Sequence, residues 1–508
     1  MVNLRALISG SDVRGRAFGE NVQLTENVAA RIGAALVGYL RENGVEKPRI
    51  FIGRDSRITG EKLLDACAYG MQDAGAHVVR VGLCTTPAMF VALNTDRHEK
   101  GDASVMVTAS HHPYDRNGLK FFLPDGGISS AVLEEIISLA ESSQSFHQAG
   151  GQIEDEAFLP IYAAILKDRI MKGLDTDVQK PLLGLHVVVD AGNGAGGFYA
   201  DLLEDMGAWV EGSQFLEPDG MFPNHIPNPE NKEAMASVSA AVVKVGADLG
   251  VIFDADCDRA AIVDKTGREI NRNRLIALIS AILLSEKQGL TIVTDSVTSS
   301  GLAKFIGEWG GVHYRYKRGY RNVIDEAIRL NEAGINCPLA IETSGHAALR
   351  ENNFLDDGMY LATVLICQAM LLKQEGKELS DLIADLREPL ESAEVRLNIT
   401  APDFRNAGRM AIEKVMDYAF NHAAEWHIAP DNREGVRITF DLDSELDSAW
   451  FLLRMSVHDP VLPLNFESDV LGGNRHMAEQ LLLALDNAPG VDLTPLHNYI
   501  ASQEVMEK

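Results

Sequence analysis

Positive charge, cysteine pairs and long apolar runs are all scarce in this sequence of 508 residues. The formal net charge of −27 argues against nucleic acid as a partner, because affinity for a polyanion comes mainly from lysine and arginine. The five cysteines include no Cys-x-x-Cys pair, which argues against a zinc knuckle and a disulfide framework and fits a reducing cytoplasm. The longest apolar run, at 275–284, is too short to span a bilayer, so we expect a buried helix there and no membrane partner. Residues 1–15 lack the apolar core of a signal peptide, which also favours a cytoplasmic location.

Three apolar, strand-like runs end in aspartate, at Asp55, Asp190 and Asp295, and each is followed by a turn and a helical pattern. Buried strands that alternate with helices are typical of βαβ units with a parallel sheet. After about residue 380 the pattern changes to an amphipathic helix near 404–422, alternating strands at 436–442 and 450–455, and a terminal helix near 474–485.

The sequence therefore predicts an α/β fold of three similar α/β domains with mixed or parallel sheets, followed by a smaller C-terminal α+β domain. We place the domain boundaries from pattern alone. The predicted domains are 1–154, 155–266, 267–380 and 381–508.

Ser110 stands in a polar segment directly after an apolar run, where α/β sheets place their ligands. His111 is its neighbour, and Lys120 follows ten residues later. A serine near a cation can act as a nucleophile that carries phosphate, although an ordinary polar turn is the alternative. The segment lacks a Gly-x-Ser-x-Gly elbow, which disfavours acyl transfer.

Asp254, Asp256 and Asp258 alternate along the chain after another apolar run. If the backbone stays extended, the three carboxylates point to one face, and their mutual repulsion then requires a cation. A hard ion such as Mg²⁺ fits oxygen ligands, whereas an unoccupied acidic turn is the alternative. An EF-hand is excluded, because Arg259 and Lys265 stand where that loop needs glycine and glutamate.

Two further segments carry groups that suit a phosphorylated sugar. Glu342, Ser344 and His346 combine acceptors and donors for vicinal hydroxyl groups, although a loop with a helix cap is an equal alternative. Arg454 and Ser456 follow a predicted strand, and an arginine fork with a nearby hydroxyl group is typical of phosphate binding.

In this order, the four motifs resemble the phosphoglucomutase/phosphomannomutase family of α-D-phosphohexomutases over nearly the whole chain. Asp12-Val13-Arg14-Gly15 is similar to the N-terminal Asp-x-Arg-Gly element of that family, and residues 218–230 are similar to its proline-rich loop. The resemblance implies four domains around a central active-site cleft.

The resemblance also implies roles for individual residues. Ser110 would be the phosphorylated serine, with Lys120 and Arg14 beside the transferring phosphoryl group. One Mg²⁺ per chain would be held by Ser110, Asp254, Asp256 and Asp258. Substrate would be bound by Arg259, Lys317, Glu342, Ser344, His346, Arg454 and Ser456.

The activity implied is that of an isomerase, which interconverts the 1-phosphate and 6-phosphate of glucose, mannose or both through a phosphoserine enzyme. Hexose 1,6-bisphosphate would be the intermediate and activator. A phosphoglucosamine mutase, a magnesium-dependent sugar phosphatase and a non-catalytic sugar-phosphate-binding regulator are the alternatives, and the protein could be a monomer or a homodimer. Gly319-Tyr320 departs from the Gly-His pair of many relatives, which leaves the general acid and base open.

Overall fold

The computed structural model describes residues 3–142, 146–443, 445–456 and 459–506. The chain forms two compact units, of which unit 1 comprises Met1–Leu275 and Ser344–Asp381, and unit 2 comprises Ile276–Thr343 and Leu382–Lys508. All five cysteines are buried and free. Among the described helices, none combines the length and the apolar character that a membrane span needs.

The first part of unit 1 is built on a mixed sheet with strand order β1-β2-β6-β5-β3-β4-β8. Its strands are β1 (Ile8–Ser9), β2 (Asp12–Arg16), β3 (Arg49–Arg54), β4 (His77–Leu83), β5 (Ala103–Val107), β6 (Arg116–Leu123), β7 (Gly126–Gly127) and β8 (Gln152–Asp155). Its helices are α1 (Glu26–Glu42), α2 (Gly60–Asp73), α3 (Thr86–Asn94), α4 (Ser130–Glu141) and α5 (Leu159–Gly173). Strand β5 is buried along its whole length and pairs in parallel with β3, so that both strands end at the same edge of the sheet.

The second part of unit 1 contains a smaller sheet with strand order β12-β11-β10-β9. Its elements are β9 (Val187–Asp190), α6 (Phe198–Asp205), α7 (Lys232–Val245), β10 (Leu249–Phe253), β11 (Ala260–Asp264) and β12 (Glu269–Ile270). Strands β9 and β10 are parallel, whereas β10 and β11 form an antiparallel pair joined by residues 254–259. The aspartate segment is therefore the connection of this pair.

Helix α8 (Arg272–Glu286) leads into the α/β part of unit 2 and contains the predicted buried helix. This part consists of β13 (Thr291–Thr294), α9 (Ser300–Glu308), β14 (Val312–Arg315), α10 (Tyr320–Glu332) and β15 (Leu339–Ile341). Strand β13 pairs in parallel with both β14 and β15. The chain then returns to unit 1 with β16 (Ala347–Leu349), β17 (Leu355–Asp356) and α11 (Gly358–Gln374).

The C-terminal part of unit 2 is an antiparallel sheet with strand order β19-β20-β21-β22-β18-β23. Its elements are β18 (Glu391–Ile399), α12 (Phe404–Asn421), β19 (His427–Ile428), β20 (Val436–Leu442), β21 (Glu445–Leu453), β22 (Val461–Ser468), α13 (Gly473–Ala484), β23 (Val491–Asp492) and α14 (Thr494–Met506). Strand β18 alternates between buried and exposed side chains, because one face packs on the core and the other meets water.

These elements confirm the predicted α/β fold class and the change of pattern in the C-terminal region. Helix α12 and strand β20 match their predicted positions closely. Strand β21 begins earlier than predicted, and α14 was not predicted. The four domain boundaries stay a prediction.

Candidate active site

Ser110 lies in the loop that follows β5 and is only 4% exposed. Its φ angle of 51° is in the left-handed region, which is uncommon for residues other than glycine and often marks a functional site. The backbone N–H of Ser110 donates to Thr108 Oγ1 at 2.8 Å, and this bond supports the turn. The loop thus holds the serine in a fixed and unusual conformation.

The Ser110 hydroxyl group reaches the aspartate segment. Its Oγ donates to Asp254 Oδ2 at 2.8 Å and lies 3.2 Å from His111 Nδ1. The positive charge of Arg259, together with burial, holds the pKa of His111 far below its usual value. His111 is therefore a neutral imidazole beside the hydroxyl group.

Asp254, Asp256 and Asp258 form a fully buried trio whose carboxylate oxygens lie within 4.8 Å of one another. The predicted gathering of these side chains is confirmed, but the predicted extended backbone is wrong. Residues 255–258 form a turn and a bend, and Cys257 has a φ angle of 65°. The reversal between β10 and β11 brings the carboxylates together, and the Cys257 thiol points back to the Asp254 carbonyl oxygen at 3.7 Å.

Lys120 neutralises part of this charge. Its Nζ lies 3.3 Å from Asp256 Oδ2 and donates to Asp258 Oδ2. Burial raises the pKa of Asp254 well above its usual value, and the charges of the other two aspartates add to this. Burial also acts to raise the pKa of Asp258, but Lys120, His346 and Arg259 together outweigh it and the pKa is lowered.

The trio fits a hard divalent cation. Asp256 Oδ1 and Asp258 Oδ1 are buried and have no hydrogen-bond partner in the described part of the chain. Buried acceptors without a donor are costly, and a metal ion with oxygen ligands satisfies them. The trio and the neighbouring Ser110 oxygen therefore have the chemistry of a metal site, whereas the identity of the ion does not follow from the donors alone.

A second acidic group shares Asp258 with the trio and adds His346 and Asp356. Both ring nitrogens of His346 already have partners: Nε2 accepts from Arg259 Nε at 2.9 Å, and Nδ1 lies 2.6 Å from Asp356 Oδ2. The imidazole is therefore oriented by Arg259 and Asp356 rather than available to a metal ion.

Arg14 is placed on strand β2, close to the trio. Its guanidinium group donates to Asp12 Oδ2 at 2.8 Å. Burial acts to lower its pKa, but the charge of Asp12, with those of Asp256 and Asp258, outweighs burial and the pKa is raised. Unit 1 thus brings together Ser110, Lys120, Arg14, the three aspartates, Arg259 and His346. Ser344, which is 4% exposed, belongs to the same unit.

The remaining predicted substrate residues belong to unit 2. Glu342 Oε1 accepts from the Gly319 N–H at 2.5 Å, and Lys317 is exposed. Arg454 is 6% exposed, and its Nε has no hydrogen-bond partner among the described residues. Ser456 Oγ accepts from the Asp459 N–H at 3.2 Å.

Burial lowers the pKa of Arg454, although Glu434 acts in the opposite direction. Arg454 is therefore a buried cation with an open donor, which suits an anionic ligand. His458 of the same sequence motif lies outside the described residues.

Sequence reasoning missed three residues that support the site. Thr86 Oγ1 donates to Asp256 Oδ2 at 2.5 Å, and Thr108 Oγ1 donates to Asp55 Oδ2 at 2.7 Å. Arg57 binds the backbone of the serine loop. The strand that ends in Asp55 was interpreted only as a fold signal, and nothing in the local pattern indicated these contacts.

Three domain descriptions of one family match this chain. Phosphoglucomutase/phosphomannomutase alpha/beta/alpha domain I matches residues 5–147, domain II matches 167–267 and domain III matches 271–390. These segments include the serine loop, the aspartate trio and the Glu342–His346 segment.

Curated relatives match over most of their length. A phosphomannomutase/phosphoglucomutase of Pseudomonas putida is 32% identical over 461 residues, which cover 90% of this chain and 90% of that protein. A phosphoglucomutase of Neisseria gonorrhoeae is 30% identical over 490 residues, which cover 96% of this chain and 98% of that protein.

A solved structure of a phosphoglucomutase/phosphomannomutase family protein from Burkholderia thailandensis is 28% identical and has a TM-score of 0.79 to this chain. The match covers 97% of this chain and 99% of that one. The sequence matches and the fold match indicate the same family, and the contact between Ser110 and Asp254 fits phosphoryl transfer at the serine. The chain is an isomerase of the phosphohexomutase type, and it belongs to the phosphoglucomutase/phosphomannomutase family.

Proposed function

We propose that this enzyme interconverts the 1-phosphate and 6-phosphate of glucose, mannose or both, with Ser110 as the residue that carries the phosphoryl group. The supporting observation is the hydrogen bond of 2.8 Å between Ser110 Oγ and Asp254, one of three buried aspartates. Phosphoryl transfer depends on positioning and on neutralisation of oxygen charge, and this arrangement offers both.

The proposed cofactor is one Mg²⁺ per chain at Ser110 and the three aspartates, where it would supply charge neutralisation for the phosphoryl oxygens. The residues of the chain supply the rest. Lys120 and Arg14 place two buried cations beside the trio, and the pKa of each is raised, so both stay protonated and would stabilise negative charge at the reacting oxygen. The neutral His111 ring places its Nδ1 3.2 Å from Ser110 Oγ, where it would help to orient the hydroxyl group.

The proposed substrate residues divide by chemistry. Glu342, Ser344 and His346 would bind sugar hydroxyl groups, and the Arg259 bond to His346 would fix the orientation of that ring. Arg454, Ser456 and Lys317 would bind phosphate oxygens, since a guanidinium fork matches their geometry, and Arg259 is proposed only as a further substrate-binding residue. Either phosphate of a hexose 1,6-bisphosphate would bind at this same site while the other reacts, so one phosphate site would serve both directions of the reaction. A central cleft, the monomer or homodimer alternative and the cytoplasmic location stay predictions.

The decisive experiment tests three substrates in turn and measures both the sugar product and the phosphorylation of the enzyme. The purified chain is incubated with Mg²⁺, a trace of glucose 1,6-bisphosphate and, in turn, the 1-phosphates of glucose, mannose and glucosamine. We expect the 6-phosphate of glucose, mannose or both to form, and intact-mass analysis with peptide mapping to find one phosphoryl group on Ser110. Ser110→Ala abolishes both signals, whereas Ser130→Ala, at an exposed helix start, leaves them unchanged.

Other results would replace the proposal by a specific alternative. Release of inorganic phosphate without isomer would indicate a phosphatase. Conversion of the glucosamine phosphate alone would indicate a phosphoglucosamine mutase. Binding of sugar phosphate without any reaction would indicate a regulator.

A further inference from the structure

Arg57 is a buried arginine, 1% exposed, that follows strand β3 and contacts the serine loop along its whole length. Its Nη1 donates to the carbonyl oxygens of Pro113 at 2.7 Å and Arg116 at 3.0 Å. Its Nη2 donates to the carbonyl oxygens of Ser110 and, at 2.6 Å, His112. One side chain therefore binds four carbonyl groups of a single loop.

Asp55 supports Arg57 from the other side. The buried carboxylate accepts from Arg57 Nε at 3.1 Å and from the Arg57 N–H at 2.9 Å. It also accepts from Thr108 Oγ1, which in turn accepts from the Ser110 N–H. Arg57 thus holds the carbonyl group of Ser110 directly. Asp55 holds the Ser110 N–H through Thr108 Oγ1.

All five N–H donors of the Arg57 guanidinium group are used, one on Asp55 and four on carbonyl oxygens. Only arginine can make this set, because its planar fork has five fixed donors and a lysine ammonium has three. Four of the five donors bind carbonyl groups of residues 110–116, so this buried arginine fixes the shape of that segment.

The proline-rich segment covers this arginine. The Phe222 ring centroid lies 5.1 Å from the Arg57 guanidinium carbon, within cation–π range. Gly220 approaches the same turn so closely that an added Cβ would lie 2.3 Å from the Ile58 nitrogen. Arg57 is therefore enclosed between the serine loop and the Phe222 segment.

We propose that Arg57 is a positioning residue for the phosphoryl transfer, and that Phe222 holds its guanidinium group in place. Arg57 fixes the left-handed conformation of Ser110, and so keeps the Ser110 hydroxyl group beside Asp254. Within the described part of the chain, the hydrogen bonds of Arg57 go to Asp55 and to backbone carbonyl groups, and not to the Ser110 hydroxyl group or to the predicted sugar and distal phosphate residues. The inference rests on the proposed function, in which Ser110 carries the phosphoryl group.

The test compares Arg57→Met, Arg57→Lys and Phe222→Leu with the wild type. Misplacement of a reacting group by about 1 Å costs on the order of 10²-fold in rate, so we expect kcat to fall by about that factor in Arg57→Met. Arg57→Lys keeps the charge but lacks the fork, so its kcat stays low, and Phe222→Leu shows a smaller loss. The KM for hexose phosphate changes little in all three, and transfer from glucose 1,6-bisphosphate to Ser110, followed by intact mass, slows in parallel with kcat.

Arg80→Met is the matched control. Arg80 lies on β4 of the same sheet and makes three side-chain hydrogen bonds, to Asp155 and Asp65, so its loss removes arginine bonds away from the serine loop. We expect Arg80→Met to keep the wild-type kcat. Equal losses in Arg80→Met and Arg57→Met would show a merely structural effect and overturn the inference.

If Arg57→Met does not fold, Arg57→Lys decides: its kcat within about twofold of the wild type would overturn the positioning role. A loss that appears only in KM would overturn it as well. These outcomes are distinct from failure of the proposed function, which would appear as a wild-type chain without mutase activity on any hexose phosphate.

Discussion

Replacement of Lys120 by methionine should make the protein less active but more dependent on a divalent cation for stability. Lys120 is 4% exposed and is the ammonium group that bridges Asp256 and Asp258. The carboxylate oxygens of the trio lie within 4.8 Å of one another, so each ionised pair costs roughly 3.5 kcal/mol at an effective dielectric constant of 20. Lys120 offsets much of this repulsion when no metal ion is bound.

Removal of one partner from a buried ion pair typically costs about 3 to 5 kcal/mol. We expect Lys120→Met to lose stability of that order in EDTA. In the presence of Mg²⁺ the stability loss should be smaller, because the ion replaces the missing positive charge. The ion also binds without competition from the Lys120 ammonium group. The affinity for Mg²⁺ should therefore rise about tenfold or more, which corresponds to about 1.4 kcal/mol of the offset energy.

The assay is thermal unfolding in EDTA and in MgCl₂, combined with calorimetric titration of Mg²⁺ and a mutase assay. The gain in Tm on addition of Mg²⁺ should be larger in Lys120→Met than in the wild type. Lys167→Met, which removes an exposed ion pair with Asp205, should show the wild-type gain. An equal or smaller gain in Lys120→Met, or weaker Mg²⁺ binding, would refute the reasoning that Lys120 compensates the trio.

Three further predictions concern pH, packing and phosphate binding. Burial raises the pKa of Asp357 to about 6, so the folded protein keeps this proton to a higher pH than the unfolded chain does. The free energy of unfolding should therefore fall by up to about 3 kcal/mol as the pH rises from about 4 to above 6. Urea titrations of Asp357→Asn, which keeps the cap on the Tyr360 N–H, should show no such fall with pH. Gly70→Ala places a Cβ 2.0 Å from the Ala30 carbonyl oxygen and should destabilise the protein by at least about 1 kcal/mol. Gly307→Ala, in open space on α9, should stabilise the protein by about 0.5 to 1 kcal/mol. Denaturant titrations should therefore show changes of opposite sign in the two variants. Arg454→Ala should raise the KM for hexose phosphate by at least about tenfold and increase phosphoenzyme hydrolysis, and an unchanged KM with no added hydrolysis would contradict its phosphate role.

The sequence was informative where chemistry is carried by neighbours along the chain. The trio from Asp254 to Asp258 was recognisable because three carboxylates within five residues must lie near one another whatever the backbone does. The assumption of an extended strand was wrong, since the positive φ of Cys257 creates a turn that no periodicity reveals. The buried strands were predictable because continuous apolar runs have few other stable environments. Helix α14 was not predicted, because its apolar residues do not recur with a clear helical period.

The amino-acid sequence by itself determined which residue types were available, where buried strands and amphipathic helices form, and that a serine and an acidic cluster stand at strand ends. Burial and local sterics act over a few residues, so these features can be read from short windows. Only the tertiary structure decided that Ser110 meets Asp254 across 144 positions, that Lys120 bridges the trio and that Arg57 binds four carbonyl groups of the serine loop. Such contacts depend on how distant elements pack and on where buried charges find partners, and no local pattern encodes that choice.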